Sequence, residues 1–315
     1  MKKSPPENAI IVINKTRLEQ LTARFNTKAQ AKFYIEHAGG NFEDYEIEHK
    51  TFKKSLEIIQ RKISTHLKKY KVIERQYVPN FIFTDKDIVI VVGQDGLVAN
   101  TAKYVNDIPI IAINPDPTRY DGILLPFDPS NFESAFLKTL VGNPQTKSVT
   151  MAEARLNDGQ RLLAFNDLFI GHSSHISARY RITFDNYSEN QSSSGIIIST
   201  GAGSTGWLSS LFNMAVGINR TFGKSPGETH PSSISMSWDD RRLVFIVREP
   251  FLSKYSRIDL TTGLISPEKK LILESFMPTN GVIFSDGIEA DFLHFNSGSI
   301  ADIGIAQERA LIVQK

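Results

Sequence analysis

The chain has 315 residues, of which 41% are hydrophobic and 22% are charged, a balance typical of globular proteins rather than of disordered chains. The 36 Lys and Arg residues nearly match the 34 Asp and Glu residues, so the net charge of +2 predicts no nucleic-acid partner. The chain contains no Cys, which excludes disulfides, thiolate zinc sites and cysteine nucleophiles.

Strand and helix patterns alternate through the first part of the chain. Short apolar runs predict strands over 9–13, 88–92 and 108–113. Helical spacing of apolar residues, with Ser130 as a cap in the last case, predicts helices over 17–37, 51–70, 97–105 and 130–141. Residues 114–122 contain two prolines and are expected to form a long ordered loop. This alternation predicts a doubly wound α/β domain over residues 1–143.

Short β-type segments replace this pattern after Gly142, and an Asp158-Gly159 turn lies between two of them. The predicted strands are 148–156, 161–170, 178–185, 195–199, 234–238, 243–248, 270–274, 281–285 and 299–305. One helix is expected over 204–219. The sequence therefore predicts a β-rich, β-sandwich-like domain over residues 144–315, with its last stretch packing back on the first domain. A ligand cleft between two such domains is the default expectation.

The stretch Gly93-Gln94-Asp95-Gly96 directly follows the strand predicted over 88–92. Ligands of open α/β sheets bind at the carboxyl ends of the strands. Glycine allows a positive φ and the close approach of a ligand, and a carboxylate at this point can accept a proton or face a metal. An ordinary strand-to-helix turn capped by Asp95 explains the same four residues, so the motif alone leaves both interpretations open.

A second stretch, Thr200-Gly-Ala-Gly-Ser-Thr-Gly-Trp207, is rich in glycine and hydroxyl residues and precedes a predicted helix. Such loops present N–H groups and hydroxyls to phosphate. Three of its glycines also match the G-x-G-x-x-G fingerprint, which makes a Rossmann oxidoreductase an alternative. Two features argue against it: the fingerprint belongs in a first βαβ unit, and Glu228, at the right distance for the ribose acid, lies in a predicted loop.

Two further places carry polar side chains beside apolar strands. Asn166 and Asp167 open a strand, and together they can hold two ribose hydroxyls, because an amide donates and accepts while a carboxylate accepts. Without a partner motif, a strand-end cap is the better explanation of this pair. Asp286-Gly287 indicates a tight turn with an exposed acidic side chain. His172 and His175 lack a third ligand of clear spacing, so we expect no structural metal there.

In their order along the chain, the four stretches resemble those of the NAD kinase family. Members of that family have a strand ending in Gly-Gly-Asp-Gly, then an Asn-Glu pair opening a strand, then a Gly/Thr-rich loop and a late Asp-Gly. The resemblance extends from Val89 nearly to the C-terminus. Several stretches are similar more narrowly to the mitochondrial type of animal NAD kinase: Asn114-Pro-Asp-Pro117, Phe169-Ile-Gly171, Ser193-Ser-Gly195, Thr200–Trp207, Arg248-Glu-Pro250 and Ile283–Gly287.

The resemblance implies ATP-dependent, Mg²⁺-assisted phosphorylation of the adenosine-ribose 2′-hydroxyl of NAD to give NADP. It implies that Asp95 orients and deprotonates this hydroxyl, and that Asn166 and Asp167 hold ribose or amide groups of NAD. It implies substrate-binding roles for residues of all four stretches, which are Gly93, Gly96, Asn166, Asp167, Gly203, Ser204, Thr205, Ser210 and Asp286. It assigns no metal ligands.

The chain departs from the family pattern at three positions: Gln94 replaces the second loop glycine, Leu97 replaces a Thr, and Asp167 replaces the Glu. Gln94 either obstructs the phosphates of ATP or supplies an amide donor to them. The first outcome would leave a non-catalytic NAD(H) or NADP(H) sensor as the second hypothesis. A lipid or sphingoid-base kinase, whose loop is related, is the third hypothesis and requires a long apolar channel in the β-rich domain.

The expected partners are NAD and ATP, with polyphosphate as the alternative donor. By resemblance we also expect a homodimer. No apolar run approaches the roughly 20 residues of a membrane span, and the N-terminal apolar run is too short for a signal peptide. The sequence therefore predicts a soluble, cytoplasmic protein without a membrane partner.

Overall fold

The computed structural model of the protein describes residues 5–223, 234 and 236–315. By its internal contacts the chain divides into two compact units, Met1–Lys147 with Leu311–Lys315, and Ser148–Ala310. Glu228 and Ser235 lie outside the described residues. The other residues of the strand predicted over 234–238 are described and do not form a strand. No helix in the described ranges is long and apolar enough to cross a membrane.

The first unit is an α/β domain. Its elements are β1 (Asn8–Ile13), α1 (Arg17–Phe25), α2 (Lys28–His37), α3 (Phe42–His66), β2 (Tyr70–Glu74), β3 (Asp87–Val92), α4 (Asp95–Ala102), β4 (Pro109–Ile113) and α5 (Glu133–Leu140). The strands form a parallel sheet in the order β2-β1-β3-β4. All six residues of β3 are buried, as expected for a central parallel strand covered on both faces.

One face of this sheet forms a core with α3 and α5. The apolar stripe of α3, including Phe52, Ile59 and Ile63, packs with β1, β3, β4 and with Phe136 of α5. The amphipathic pattern that predicted α3 thus corresponds to its packing. Because the strands are parallel, the carboxyl ends of β1, β3 and β4 lie along one edge of the sheet, where the loops after β3 and β4 meet.

Helix boundaries in the first unit differ from the prediction for local reasons. The helix predicted over 17–37 is two helices, because Asn26 has a φ of 64° and Thr27 begins α2 by accepting a hydrogen bond from Gln30 N. Asn41 caps α3, which begins at Phe42, nine residues before the predicted start at residue 51. Ser130 does not cap α5, because the helix begins only at Glu133 and the Ser130 hydroxyl bonds to Asp128 Oδ1 instead.

The second unit is β-rich. Its elements are β5 (Thr146–Leu156), β6 (Arg161–Ala164), β7 (Asp167–His172), β8 (Ala178–Phe184), β9 (Tyr187–Ser193), β10 (Ile196–Ser199), α6 (Trp207–Phe222), β11 (Leu243–Val247), β12 (Thr262–Ile265), β13 (Leu271–Ser275), β14 (Gly281–Ser285), β15 (Ile288–His294) and β16 (Ile300–Val313). One antiparallel sheet has the order β12-β11-β10-β7-β14-β15. The other includes β9, β8, β13 and residues 300–303 of β16.

Side chains from both sheets of the second unit form one core, with Leu168 and Phe245 from the first sheet and Tyr180 and Leu273 from the second. The predicted combination of an α/β N-terminal part and a β-sandwich-like C-terminal part is therefore confirmed. The end of β16 belongs to the first unit, where Leu311 and Ile312 pair in parallel with β4.

The strand predicted over 161–170 is interrupted at Phe165 and Asn166, which separate β6 from β7. This interruption, together with Asp167 at the start of β7, is called the corner below. It places the polar pair Asn166 and Asp167 at a bend of the backbone, and the elements around it build most of the candidate site in the second unit.

Candidate active site

Asp95 lies in the first turn of α4, directly after β3. Its carboxylate accepts two hydrogen bonds from the loop that follows β4, with Ile123 N at 3.1 Å from Oδ2 and Leu124 N at 2.8 Å from Oδ1. Asp95 is half-buried, so these bonds fix the direction of its carboxylate. Each oxygen retains a lone pair for a further donor.

The two glycines of this loop occupy different environments. A Cβ at Gly93 would lie 2.8 Å from Cδ2 of Leu97, so a larger residue there would make the end of the Leu97 side chain shift. Gly96 faces open space, with no neighbouring atom within 4 Å of its Cβ position. Neither residue has a positive φ, so neither uses the left-handed backbone that glycine allows. The approach of a ligand to Gly96 stays a prediction.

Gln94 is exposed and lies at the N-cap of α4, where its side chain makes no capping hydrogen bond. The side chain instead lies near the hydroxyl of Tyr120. Burial raises the pKa of Tyr120, and the nearby side-chain amide of Gln94 opposes this shift. Gln94 and Asp95 therefore both contact the loop that follows β4.

In the second unit, Asp286 holds the corner. Its carboxylate accepts hydrogen bonds from the backbone amides of Phe165 at 3.0 Å, Asn166 at 2.6 Å and Asp167 at 3.3 Å. Asp286 lies in the tight turn between β14 and β15, with a φ of 53°. The turn is present as predicted. The expectation that its acidic side chain is exposed is wrong, because the side chain is half-buried and directed at backbone amides.

The glycine-rich loop packs against the same corner. Thr200 N donates to Asn166 O at 2.9 Å, and the Thr200 hydroxyl donates to Phe165 O at 2.6 Å. A Cβ at Gly203 would lie 2.3 Å from Asn166 O and 2.8 Å from Oδ1 of Asp167. Gly203 is therefore required by close approach to the protein's own backbone.

The hydroxyl residues of this loop differ in their availability. The buried Ser204 hydroxyl donates to Gly201 O at 2.7 Å and so is used within the loop. Thr205 is exposed. Ser210 is exposed as well, and its hydroxyl makes only a long contact of 3.4 Å with Gly206 O.

Asp167 is electrostatically unusual. Its Oδ1 is buried and has no hydrogen-bond partner among the described residues. Burial raises the pKa of Asp167 to about 7; the Ser199 hydroxyl lowers this value, and the nearby charge of Asp286 raises it further. Near neutral pH its carboxyl group can accordingly accept or donate a hydrogen bond.

A cavity of about 790 Å³ lies within the second unit beside β7. Its aromatic wall includes Phe169, which stacks on Trp207 with ring centroids 5.9 Å apart and on Phe284 at 4.8 Å. The guanidinium of Arg248 lies 5.6 Å from the centroid of the Trp207 ring. The polar part of the cavity lining includes Ser174, His175, Glu249 and His294. The cavity is therefore unlike the long apolar channel that a lipid kinase would need.

Sequence reasoning assigned no role to Trp207 or Arg248, although both occur in stretches that carry the family resemblance. A Trp directly after the glycine-rich loop was the available signal, since an exposed aromatic ring beside a phosphate-type loop can stack on a base. His172 and His175 also line this cavity. Within the described ranges, no group of three or more His, Cys, Asp or Glu side chains is arranged to hold a metal.

Of the predicted site residues, Gly93, Asp95 and Gly96 thus form one loop in the first unit. Asn166, Asp167, Gly203 and Asp286 come together at the corner in the second unit, and Ser204 lies in the adjoining loop. Thr205 and Ser210 lie at the exposed start of α6. The predicted residues therefore form two clusters, one in each unit.

The chain is similar in sequence to NAD kinases of several Saccharolobus islandicus strains, including M.14.25, M.16.27 and Y.G.57.14. Each is 30% identical over 129 residues, which are 41% of this chain and 49% of the relative. The chain thus spans about half the length of the curated relatives it matches. No protein-family model matches it.

Two solved structures resemble the whole chain. Yeast NADH kinase complexed with NADH has a TM-score of 0.59 and 14% identity, covering 99% of this chain and 84% of the yeast chain. An NAD kinase from Archaeoglobus fulgidus in complex with ATP has a TM-score of 0.54 and 15% identity, covering 98% of this chain and 93% of the archaeal chain. The fold of this protein is accordingly that of the NAD kinase structures.

Proposed function

We propose that this protein is an NAD kinase, which transfers a phosphoryl group from ATP to the adenosine-ribose 2′-hydroxyl of NAD and so forms NADP. The observation that carries the proposal is the corner, where the two polar residues Asn166 and Asp167 meet the glycine-rich loop and Asp286. The sequence similarity to the Saccharolobus islandicus NAD kinases supports the same reaction.

In this proposal Asp95 orients the 2′-hydroxyl and accepts its proton. Phosphoryl transfer has a loose transition state, so alignment and charge stabilisation account for most of the catalysis. A carboxylate that two backbone amides hold in one direction, and that keeps free lone pairs, suits this task. Gly93 and Gly96 flank it, and the open space at Gly96 favours the approach of phosphate groups.

Asn166 and Asp167 are proposed to bind a ribose of NAD. The Asn166 side-chain amide makes no hydrogen bond to the described residues, and Oδ1 of Asp167 is unpartnered among them. The Asn166 amide can therefore donate to one ribose hydroxyl and accept from another, and binding by the buried Oδ1 of Asp167 requires the corner to open toward the ribose. Asp286 contributes by holding the corner, and Gly203 and Ser204 by shaping the adjoining loop.

The adenine end of NAD is proposed to lie near Thr205 and Ser210, whose exposed hydroxyls adjoin the cavity residue Trp207. An aromatic ring with a guanidinium above it favours the stacking of a planar base. This placement makes the aromatic wall of the cavity part of the proposed nucleotide site.

Mg²⁺ is proposed to enter with ATP, because it commonly binds substrate phosphates together with one or two carboxylates. The loop at Asp95 fits such a donor-borne ion, since it offers a single carboxylate beside the open space at Gly96. When bound, the ion would neutralise charge on the transferring phosphates.

Three narrower features belong to the same proposal. The mitochondrial type of animal NAD kinase is the proposed subgroup, supported by the stretches Asn114–Pro117 and Arg248–Pro250. A homodimer and a cytoplasmic location are proposed with it, the latter supported by the lack of Cys. Light scattering on the purified protein tests the dimer.

The decisive assay combines purified protein, NAD, ATP and Mg²⁺ and measures NADP. We expect NADP formation that falls at least a hundredfold, about 2.7 kcal/mol of transition-state stabilisation, in Asp95→Asn. Parallel reactions replace ATP with polyphosphate, or NAD with NADH, and so identify the donor and the acceptor. If no combination yields NADP above the Asp95→Asn level, the proposed function is wrong.

A further inference from the structure

The loop between β4 and α5 begins at Asn114, which has no role in the proposed reaction so far. Asn114 is only 4% exposed. Its Oδ1 accepts a hydrogen bond from Asp116 N at 3.0 Å, and its Nδ2 donates to Tyr120 O at 2.8 Å. One side chain thus joins the start of the loop to its middle, six residues away.

Asn114 is itself fixed to the sheet. Its backbone N–H donates to Phe127 O at 2.8 Å, while Phe127 N donates to Ala112 O at 3.4 Å, so the far end of the loop returns to β4. On the outer side, the Ser55 hydroxyl of α3 donates to Pro115 O at 2.7 Å. All of these hydrogen bonds lie within one chain.

The Asn114 amide also packs against the turn that presents the two amides to Asp95. A Cβ at Gly122 would lie 2.8 Å from Asn114 Nδ2, and Gly122 has a φ of 66° that favours glycine. The next two residues, Ile123 and Leu124, donate their N–H groups to the Asp95 carboxylate. The Ile123 side chain is 74% exposed, so side-chain burial contributes little to the position of its amide.

We propose that Asn114 is a positioning residue for Asp95, because it holds the turn at Gly122 whose following amides orient the Asp95 carboxylate. The proposal rests on the proposed function, in which Asp95 is the base. Tyr120 links the two parts of the arrangement, since its carbonyl accepts from Asn114 and its hydroxyl contacts Gln94.

A purely structural anchor and a positioning residue differ in what their loss changes. Loss of an anchor lowers the midpoint of unfolding without a selective effect on catalysis. Loss of a positioning residue lowers kcat while the KM for NAD stays nearly constant, because a base displaced by about 1 Å can lose as much as a hundredfold in rate.

The test uses Asn114→Asp in the full chain. Asp is nearly isosteric with Asn and keeps the acceptor for Asp116 N, but it replaces the Nδ2 donor by an oxygen facing Tyr120 O. We expect kcat to fall by about tenfold or more while the KM for NAD changes by less than about twofold. We also expect faster amide hydrogen exchange at Ile123 and Leu124, as in Asp95→Ala.

Gly122→Ala is the second variant, for the case that Asn114→Asp fails to fold. It pushes the same amide from the other side and should produce the same two changes. Thr118→Ala is the matched control, since its exposed hydroxyl contacts only the Asp116 side chain of the same loop. It should leave kcat and the exchange of Ile123 and Leu124 unchanged.

Unchanged exchange at Ile123 and Leu124 in both variants would overturn the proposal, as would a KM increase with normal kcat. An equal loss of kcat in Thr118→Ala would do the same. If the unmodified protein forms no NADP, the proposed function fails and, with it, the catalytic consequence. The exchange data then still decide whether Asn114 holds the turn against Asp95.

Discussion

The carboxylate of Asp286 accepts a hydrogen bond from the backbone amide of Asn166, with 2.6 Å between Oδ1 and N, although 120 residues separate the two in sequence. Asp286 adopts a φ of 53° to do so, a conformation that costs a non-glycine residue about 1 kcal/mol or more. Bonds from Phe165 and Asp167 to the same carboxylate offset this strain. The corner that presents Asn166 is thus built by a residue of a distant hairpin.

Asp286→Ala is expected to destabilise the second unit. It leaves three partly buried amides without their acceptor, and we expect the free energy of unfolding to fall by about 2 to 4 kcal/mol in denaturant titration. Asp185→Ala is the matched control, because Asp185 is also a turn Asp with a positive φ but forms only an exposed ion pair with Lys269. Its loss should cost less than about 1 kcal/mol. Equal losses in the two variants would contradict the role assigned to Asp286.

The two glycines Gly203 and Gly217 should respond oppositely to alanine. A Cβ at Gly203 would lie 2.3 Å from Asn166 O, so Gly203→Ala should lower the free energy of unfolding by about 1 to 3 kcal/mol and weaken NAD binding. Gly217 is exposed on α6, and no atom of the described residues lies within 4 Å of its Cβ position. Gly217→Ala should therefore raise stability by about 0.5 to 1 kcal/mol. Denaturant titration of both variants checks the sign, and a stabilising Gly203→Ala would refute the close approach.

Asp167 makes stability fall as the pH rises. Burial raises its pKa in the folded state to about 7, from an ordinary value of 3.8, so between these values the folded state holds a proton that the unfolded state has released. The contribution of Asp167 to the free energy of unfolding therefore decreases from about pH 4 to pH 7. Asp167→Asn does not titrate, so its stability relative to the unmodified protein should increase over this range by about 4 kcal/mol at most.

Denaturant titration at pH 5 and at pH 8 measures this difference. Asp185→Asn serves as the control, because Asp185 is exposed in its turn and the variant should follow the unmodified protein at both pH values. If Asp167→Asn also follows it, the carboxyl group of Asp167 is not held in a protonation state that differs from that of the unfolded chain.

The loop at Asp95 was predictable because local sequence determines it. A run of six buried residues fixes β3, a parallel strand ends where ligands bind, and glycines mark the turn that follows. The residues around Asp286 predicted a turn, and the family resemblance implied substrate binding; its bonds to the corner were not predicted, since its partners lie 119 to 121 positions away. Nothing near Asp286 in the sequence indicates that its carboxylate is turned inward.

Strand β9 was missed because its inward side chains are polar. Glu189, Gln191 and Ser193 are buried, and hydrogen bonds to the Tyr180 hydroxyl and to the Leu260 amide compensate for their burial. An alternation of apolar and polar residues, which is the usual signal of a half-buried strand, is therefore absent. The break between β6 and β7 was missed for the opposite reason, since Phe165 continues an apolar run although the backbone bends there.

The Gln94→Gly variant distinguishes an active NAD kinase from a non-catalytic NAD(H) or NADP(H) sensor. The Gln94 side chain lies near the Tyr120 hydroxyl, so we expect it to stay beside the loop and the unmodified protein to turn over NAD. Gln94→Gly should then lower kcat or leave it unchanged, and Tyr120→Phe, which removes the same contact, should match it. Steady-state rates of NADP formation measure both. A protein that binds NAD without turnover and gains activity in Gln94→Gly would instead be a sensor.

The aromatic wall of the cavity gives a direct test of the proposed NAD site. The chain has two Trp residues, so Trp238→Phe leaves Trp207 as the sole Trp reporter. We expect NAD to quench its fluorescence, because a base stacked near Phe169 and Trp207 would contact the indole ring.

In the same background Arg248→Ala should weaken NAD binding by about 0.5 to 2 kcal/mol, since it removes the guanidinium lying 5.6 Å from the centroid of the Trp207 ring. Arg241→Ala, at an exposed position before β11, is the matched control and should leave the dissociation constant unchanged. Quenching that is absent, or equal weakening in the two arginine variants, would place the base of NAD elsewhere.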